Sequence, residues 1–370
     1  MAESQSQRKI QYGIHRWLES GKKSGFTELE SETVTLCSVL GNRSDNQDRA
    51  IFLRVKFEET GKSPIAALVL CDGMGGMLRG GDCANLAIST FAASLVNNTA
   101  STLADKLQVA VHDANHAVYR DFQGKGGCTL SAVACNNINE RAAVNIGDSR
   151  IYSVFNTGTV KLSTVDDTLE KQLADLKLPS PPPEFRQLLQ YIGMGEGLEP
   201  RQISLESNTD VKWFVITSDG SHDIPESIFE SILTHAKTPS EVTSRLTEIS
   251  QWLGGRDNAT VGVLQIRNDL FLHSRNTDPS SLEIWGVPGK AEFFSIKPKQ
   301  ADTFRGEILL NAHILESEVD DGINTEDISM EGKPPRRKSK DSYKKNNPKN
   351  VSTENDKSTA QLNIELSSEN

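Results

Sequence analysis

Several short strings in this sequence place an aspartate beside a run of apolar residues. Asp72 follows the run 65–71 and opens Asp72-Gly73-Met74-Gly75-Gly76. Asp148 follows 142–146 within Gly147-Asp148-Ser149-Arg150, and Asp219 follows 213–218 in Ser218-Asp219-Gly220-Ser221-His222-Asp223. Asp257 precedes the run 260–266 in Arg256-Asp257-Asn258-Ala259-Thr260, and Asp48 closes Arg43-Ser44-Asp45-Asn46-Gln47-Asp48. One Asp at the end of a strand is most often a turn former. Several carboxylates gathered on one rim of a sheet are different, because like charges so close resist joint ionisation. A hard divalent cation removes that repulsion, and ligands that are all oxygen suit magnesium or manganese rather than zinc. Gly73, Gly75 and Gly76 allow the tight turn that brings a backbone carbonyl near such an ion.

The elements that must position these aspartates follow from the patterning. Short apolar runs bounded by turn residues recur at 34–40, 65–71, 130–135, 142–146, 151–155, 213–218 and 260–266, and they read as strands. Ala84, Ile88, Phe91 and Leu95 repeat at helical spacing behind Asp82, the expected N-cap. Leu103, Leu107, Val111, Ala114 and Val118 do the same, and further helices are expected at 170–176, 227–236 and 240–253. Strands clustered between helices predict sheets packed between helical layers.

Composition narrows the function classes. The chain has 370 residues, with 40 Lys+Arg against 50 Asp+Glu and a formal charge of −10. An acidic balance argues against nucleic acid as a partner, since that binding needs clustered basic residues. No apolar run approaches the length of a membrane span, and residues 1–25 lack the apolar stretch of a signal peptide. Cys37, Cys71, Cys83, Cys128 and Cys135 are odd in number and form no CxxC pair, so reduced, buried thiols and a cytoplasmic location are expected.

Taken in order, these motifs resemble the metal-dependent protein serine/threonine phosphatases of the protein phosphatase 2C (PPM) family, bacterial type. The match runs over about residues 34–266, and the ordered series is far more specific than DGxGG or GDSR alone. The resemblance implies an α+β, four-layer α/β/β/α sandwich of two antiparallel sheets flanked by helices. It implies hydrolysis of phosphoserine and phosphothreonine on proteins by a water bridging two Mn2+ or Mg2+ ions. Asp48, Asp72, Asp219 and Asp257 would be ligands, with the Gly73 carbonyl on one metal. Asp148 and Asp223 match the positions of a third, weaker metal, and Arg43 matches the arginine that grips the substrate phosphate. Arg43 and Asp72 would be the catalytic pair. The implied partners are a phosphorylated protein and an opposing serine/threonine kinase.

Three motifs depart from the family's pattern. Gln47 stands where some relatives have Glu, and Met74 stands where some have a His proposed as general acid. The family's Thr-x-Asp-His-Ser element appears as Thr164-Val165-Asp166-Asp167-Thr168, and the stretch from there to Pro200, with its prolines at 181–183, would contain a flap beside the site. The alternative to an enzyme is a catalytically weak relative that uses the fold for binding or regulation. Retention of all four principal aspartates favours the enzyme.

Other features read more simply. His222 is expected not to ligate, Trp213 and Phe214 to be core, and His112 and His116 to be surface or boundary residues. The expected organisation is an N-terminal extension at 1–32, the catalytic domain at 33–267 and a short, partly ordered extension at 268–315 that includes a hairpin near 281–297. A charged tail follows at 316–370, where an acidic block precedes a basic block and segregated charge predicts disorder. A tail that binds nucleic acid is the less favoured reading of the basic block.

Overall fold

The computed structural model describes residues 4–29, 32–57, 62–177, 187–205, 210–271 and 281–294. In chain order its helices are α1 (Gln5–Ser20), α2 (Gly80–Asn97), α3 (Leu103–Phe122), α4 (Leu169–Asp175), α5 (Asp219–His222), α6 (Glu226–His235) and α7 (Pro239–Trp252). The first strands are β1 (Gly25–Glu28), β2 (Val34–Val39), β3 (Arg49–Lys56), β4 (Ile65–Cys71), β5 (Leu130–Asn136), β6 (Arg141–Ile146) and β7 (Arg150–Phe155). They are followed by β8 (Val160–Leu162), β9 (Arg201–Ile203), β10 (Val211–Thr217), β11 (Ala259–Leu264), β12 (Ser281–Gly286) and β13 (Gly289–Phe294).

These strands form two sheets, in the orders β1-β2-β11-β10-β7-β8 and β13-β12-β3-β4-β5-β6-β9, with every pairing antiparallel. The alternation of side chains along a strand explains the layering. On β3, Ala50 and Phe52 point between the sheets, while Ile51, Leu53 and Val55 point to the helices α1, α2 and α3. On β4, Leu68 and Leu70 join the middle layer and Ala67 and Val69 the outer one. The opposite sheet sends Leu36, Phe214 and Ile216 inward and Trp213, Val215 and Val261 outward against α6 and α7. Strands buried on both faces read as continuous apolar runs, which is why they are legible in the sequence. The α/β/β/α sandwich is as expected.

Antiparallel pairing also brings the aspartates to one end. Arg49 pairs with Cys71, Ala259 with Val39, Thr217 with Arg150 and Leu130 with Ile146. The starts of β3, β5, β7 and β11 therefore meet the ends of β2, β4, β6 and β10 on the same rim.

Several expectations are corrected. Asp82 is not the N-cap of α2; Arg79 holds that position in left-handed conformation (φ 54°), and Asp82 lies in the first turn, ion-paired to Arg79. The packed body also extends beyond 33–267 at both ends. Ile10, Ile14 and Leu18 of α1 recur every four residues and are buried in the layer that holds α2. The hairpin expected near 281–297 is present as β12 and β13, and all of β12 pairs with residues 51–56 of β3. Leu282 and Ile284 face the helices and Trp285 faces the opposite sheet, so both cores gain from it. The expectations for 307–315, for the charged blocks of the tail and for the prolines at 181–183 lie outside the described residues.

Candidate metal centre

Each aspartate is set by its own element. Asp72 directly follows β4, and its backbone N–H donates to Thr129 Oγ at 3.0 Å while its carbonyl accepts from Thr129 N–H at 2.8 Å. Asp48 precedes β3 and is buried; its Oδ2 accepts from Ser218 Oγ at 2.8 Å, and its Oδ1 has no hydrogen-bond partner. Asp219 opens α5, and its Oδ1 is likewise buried without a partner. Asp257 accepts from Arg43 Nη2 at 2.6 Å and from Asn258 N–H at 2.8 Å. Asp148 occupies the turn between β6 and β7.

A cavity of about 310 Å³ opens among them, lined by Asp72, Asp148, Asp219, Asp257, Gly73 and Arg43 together with Met74, Thr129 and Leu188. Asp48 is not in its lining. Asp223 is exposed at the end of α5, with its N–H donating to the Asp219 carbonyl, and it does not line the cavity either. Asp148, Asp72 and Asp219 thus share the lining of one cavity, and Asp223 lies outside that lining.

Burial and mutual repulsion dominate the electrostatics. Burial pushes the Asp72 carboxyl well above the usual range, and Asp48, Asp219, Asp148 and Asp257 push it further. Asp219 rises to about 8 through burial, then Asp148, Asp257 and Asp48. Asp148 rises to about 6, first through burial and then through Asp166. Asp48 is raised by burial against hydrogen bonds that favour its ionised form. Carboxylates this costly to ionise, with two buried oxygens left unsatisfied, fit a hard divalent cation by charge and by donor type. Among the described residues, no three acidic, histidine or cysteine side chains close on a single point; the acids surround a cavity instead.

These shifts fix a pH dependence. With Asp219 at about 8 and Asp148 at about 6 against an ordinary 3.8, the folded chain without metal holds protons that the unfolded chain releases. The cluster's contribution to stability is therefore greatest at the acid end of the window between about pH 4 and 8, and is lost as pH rises through it. In excess chelator, the melting temperature is expected to fall between about pH 5.5 and 8. Saturating manganese should remove that fall, because ligands bind a metal in deprotonated form. Thermal melts with and without chelator measure both slopes.

The surrounding loop is held by a residue to which the sequence reading gave no role. Asn258 Oδ1 accepts from Gln47 N–H at 2.8 Å, and its Nδ2 donates to the carbonyls of Leu40 (2.8 Å) and Asp45 (3.1 Å). One buried amide thereby ties the segment carrying Arg43 and Asp48 to the start of β11; its signal was its place beside Asp257. Gly73 is required for close approach, since a Cβ there would lie 2.5 Å from the Gly80 carbonyl group. Arg43 also donates through Nε to the Arg256 carbonyl at 3.2 Å. His222 bonds through Nδ1 to Thr217 Oγ at 2.8 Å, an ordinary structural contact. All five cysteines are buried and unpaired, and burial raises Cys83 and Cys135 to about 12.

No protein-family model matches the chain. Individual relatives do. It is 31% identical over 245 residues to the serine/threonine protein phosphatase PstP of Mycobacterium tuberculosis, a match covering 63% of this chain and 46% of PstP. It is 28% identical over 238 residues to a putative protein phosphatase 2C-type of Streptococcus pyogenes, covering 60% of this chain and 92% of that protein. The chain thus spans about half the length of the mycobacterial relative and nearly all of the streptococcal one. The solved catalytic domain of PstP, in complex with two manganese ions, superposes with a TM-score of 0.51 at 27% identity over 63% of this chain and 96% of that domain. By sequence and by fold, the chain is similar to bacterial serine/threonine phosphatases of the protein phosphatase 2C (PPM) type.

Proposed function

We propose that this protein hydrolyses phosphoserine and phosphothreonine on proteins with the help of two divalent cations, manganese or magnesium. The observation that carries the reading is the ring of mutually repelling aspartates on one rim of the sandwich, Asp48 buried and the others half-buried, two of them with buried, unsatisfied oxygens. The manganese-bearing PstP domain supports the choice of ion. Asp48, Asp72, Asp219 and Asp257, with the Gly73 carbonyl, would hold the two ions, and Asp148 would hold a third. The exposure of Asp223 leaves its assigned role in that third site without structural support. Bound cations would lower the pKa of a water and offset charge on the phosphoryl oxygens.

The chain's own residues supply the rest. The carboxylates would hold the ions in place. Arg43 has Nη2 and Nε engaged by Asp257 and Arg256, while its Nη1 faces Gly75 at the cavity lip, a placement suited to a phosphate oxygen. A cysteine nucleophile is disfavoured: all five cysteines are buried, and burial holds the Cys83, Cys128 and Cys135 thiols in their neutral form. Every proposed ligand lies in 33–267, and the described parts of 1–32 and 268–294 brace that body. Free thiols suit a reducing, cytoplasmic setting, and among the described residues no helix is long and apolar enough to cross a membrane. A phosphorylated protein and an opposing serine/threonine kinase are the partners this reading requires.

The test is phosphate release from phosphothreonine, phosphoserine and phosphotyrosine peptides with manganese, magnesium or chelator. Metal-dependent turnover of the first two is expected; turnover that persists in chelator, or that is confined to phosphotyrosine, contradicts the proposal. Arg43→Ala should raise KM about tenfold with a smaller loss in kcat, if the guanidinium grips ground and transition states alike. Arg43→Lys should recover only part of the loss, because the forked geometry is gone. An unchanged KM in the Ala variant removes Arg43 from the phosphate site.

A further inference from the structure

Asp167 does not line the cavity, yet it is tied to two segments that do. Its side chain is 1% exposed. One oxygen, Oδ2, accepts from the backbone N–H of Gly147 at 3.1 Å, immediately before Asp148. The other, Oδ1, accepts from Arg201 Nε at 2.8 Å and Gln190 Nε2 at 3.3 Å. The main chain repeats both links: Asp167 N–H donates to the Gly147 carbonyl at 3.0 Å, and Leu189 N–H donates to the Asp167 carbonyl at 2.7 Å. Gly147 sits at φ +98°, and an added Cβ would lie 2.7 Å from Thr129 Cγ2, so the turn requires glycine there. Thr129, Asp148 and Leu188 all face the cavity.

We propose that Asp167 is a positioning residue for the hydrolysis: one carboxylate that sets the turn carrying Asp148 and the cavity-bordering segment 187–201 together. The inference rests on the function proposed above. Its chemistry needs a carboxylate specifically. Two acceptor oxygens serve donors on opposite sides, and an Asn side chain has one oxygen and one donor. With its oxygen toward Arg201, Asn would point N–H groups at the Gly147 N–H; turned round, it would oppose the guanidinium. The two main-chain bonds survive either way, so the loop keeps its path while the Asp148 turn loosens. Groups that orient a metal ligand from behind change affinity or activity by roughly 10- to 100-fold when removed.

The experiment compares the full chain with Asp167→Asn, Arg201→Gln and the double variant. It reads kcat and KM on p-nitrophenyl phosphate, the manganese concentration for half-maximal rate, melting temperature, and amide hydrogen exchange at Gly147. Asp167→Asn is expected to lower kcat about tenfold or more, with KM changed less than about threefold. The manganese midpoint should rise about fivefold or more, and exchange at Gly147 should accelerate. Arg201→Gln should shift the same quantities less, and the double variant should be no worse than Asp167→Asn, as expected for two groups acting through one contact. If Asp167→Asn fails to fold, Arg201→Gln carries the same readouts. A variant that folds, melts lower, and keeps the wild-type kcat and manganese midpoint per folded molecule makes Asp167 merely structural and overturns the proposal. A wild type with no metal-dependent hydrolysis overturns the function itself and this proposal with it; an active wild type with unchanged variants overturns this proposal alone.

Discussion

Replacing Asp219 by Asn is expected to abolish metal-dependent hydrolysis and, in the same molecule, to raise the melting temperature of the metal-free chain. Asn keeps the shape of Asp219 at the start of α5 and removes its charge. Without metal, that charge is a liability, because burial and the repulsion of Asp148, Asp257 and Asp48 hold the carboxyl at about 8. Each pKa unit corresponds to about 1.4 kcal/mol between protonation states. Relief of even one unit should raise the melting temperature by a few degrees in a domain of this size. With manganese present the sign reverses, since the wild type gains stability from binding that the variant cannot match. The loss in kcat should exceed about a thousandfold, a barrier increase of about 4 kcal/mol. Asp72→Asn should behave alike, as its carboxyl is raised by burial and four neighbouring acids. A structural turn residue would do the opposite, lowering the melting temperature in both conditions while leaving residual turnover intact.

A chain ended after residue 271 is expected not to fold, although it retains every proposed ligand. Leu282 and Ile284 are fully buried and Trp285 nearly so. Burying each such side chain is worth about 1.5–3 kcal/mol. Glu283 adds an ionic contribution: it pairs with Arg54 of β3, both are buried, and Lys290 of β13 approaches Glu283 at 3.1 Å. Removing one partner of a buried pair costs about 3–5 kcal/mol. The total is comparable to the 5–15 kcal/mol that holds a typical domain. A chain ended after residue 297 keeps every described contact and should melt like the full protein. Expression, circular dichroism and melting of the two truncations check this; a folded, active chain ending at 271 would show that the hairpin is dispensable.

The same hairpin shows where sequence reading reaches its limit. Runs such as Ile65–Cys71 are buried on both faces, so their strands stand out, and the aspartates that follow them mark one rim of the sandwich. β3 is just as buried but is interrupted by Arg49 and Arg54. Arg49 is satisfied by Asn85 and by the carbonyls of Asn46 and Asp48, and Arg54 by Glu283, partners that lie far along the chain or on the backbone. No local pattern reveals such pairings. Helix α1 is hard to see for a related reason: only Ile10, Ile14 and Leu18 of its residues are buried, and most of the others are polar. At the site, the types and order of the proposed ligands are legible from motifs. Asn258 and Asp167 are not, because they act through backbone amides whose neighbours only the fold supplies.

The central claim is that the aspartate cluster is a two-cation centre whose occupancy permits phosphate-ester hydrolysis. Manganese titrated into the chelator-stripped full chain, followed in parallel by calorimetry and by phosphate release from a phosphothreonine peptide, tests it most directly. Two ions are expected to bind per chain at the principal sites, with the rate rising from zero as they fill and with Asp219→Asn losing both signals. Phosphate release in excess chelator, or wild-type manganese binding by Asp219→Asn, would contradict the account.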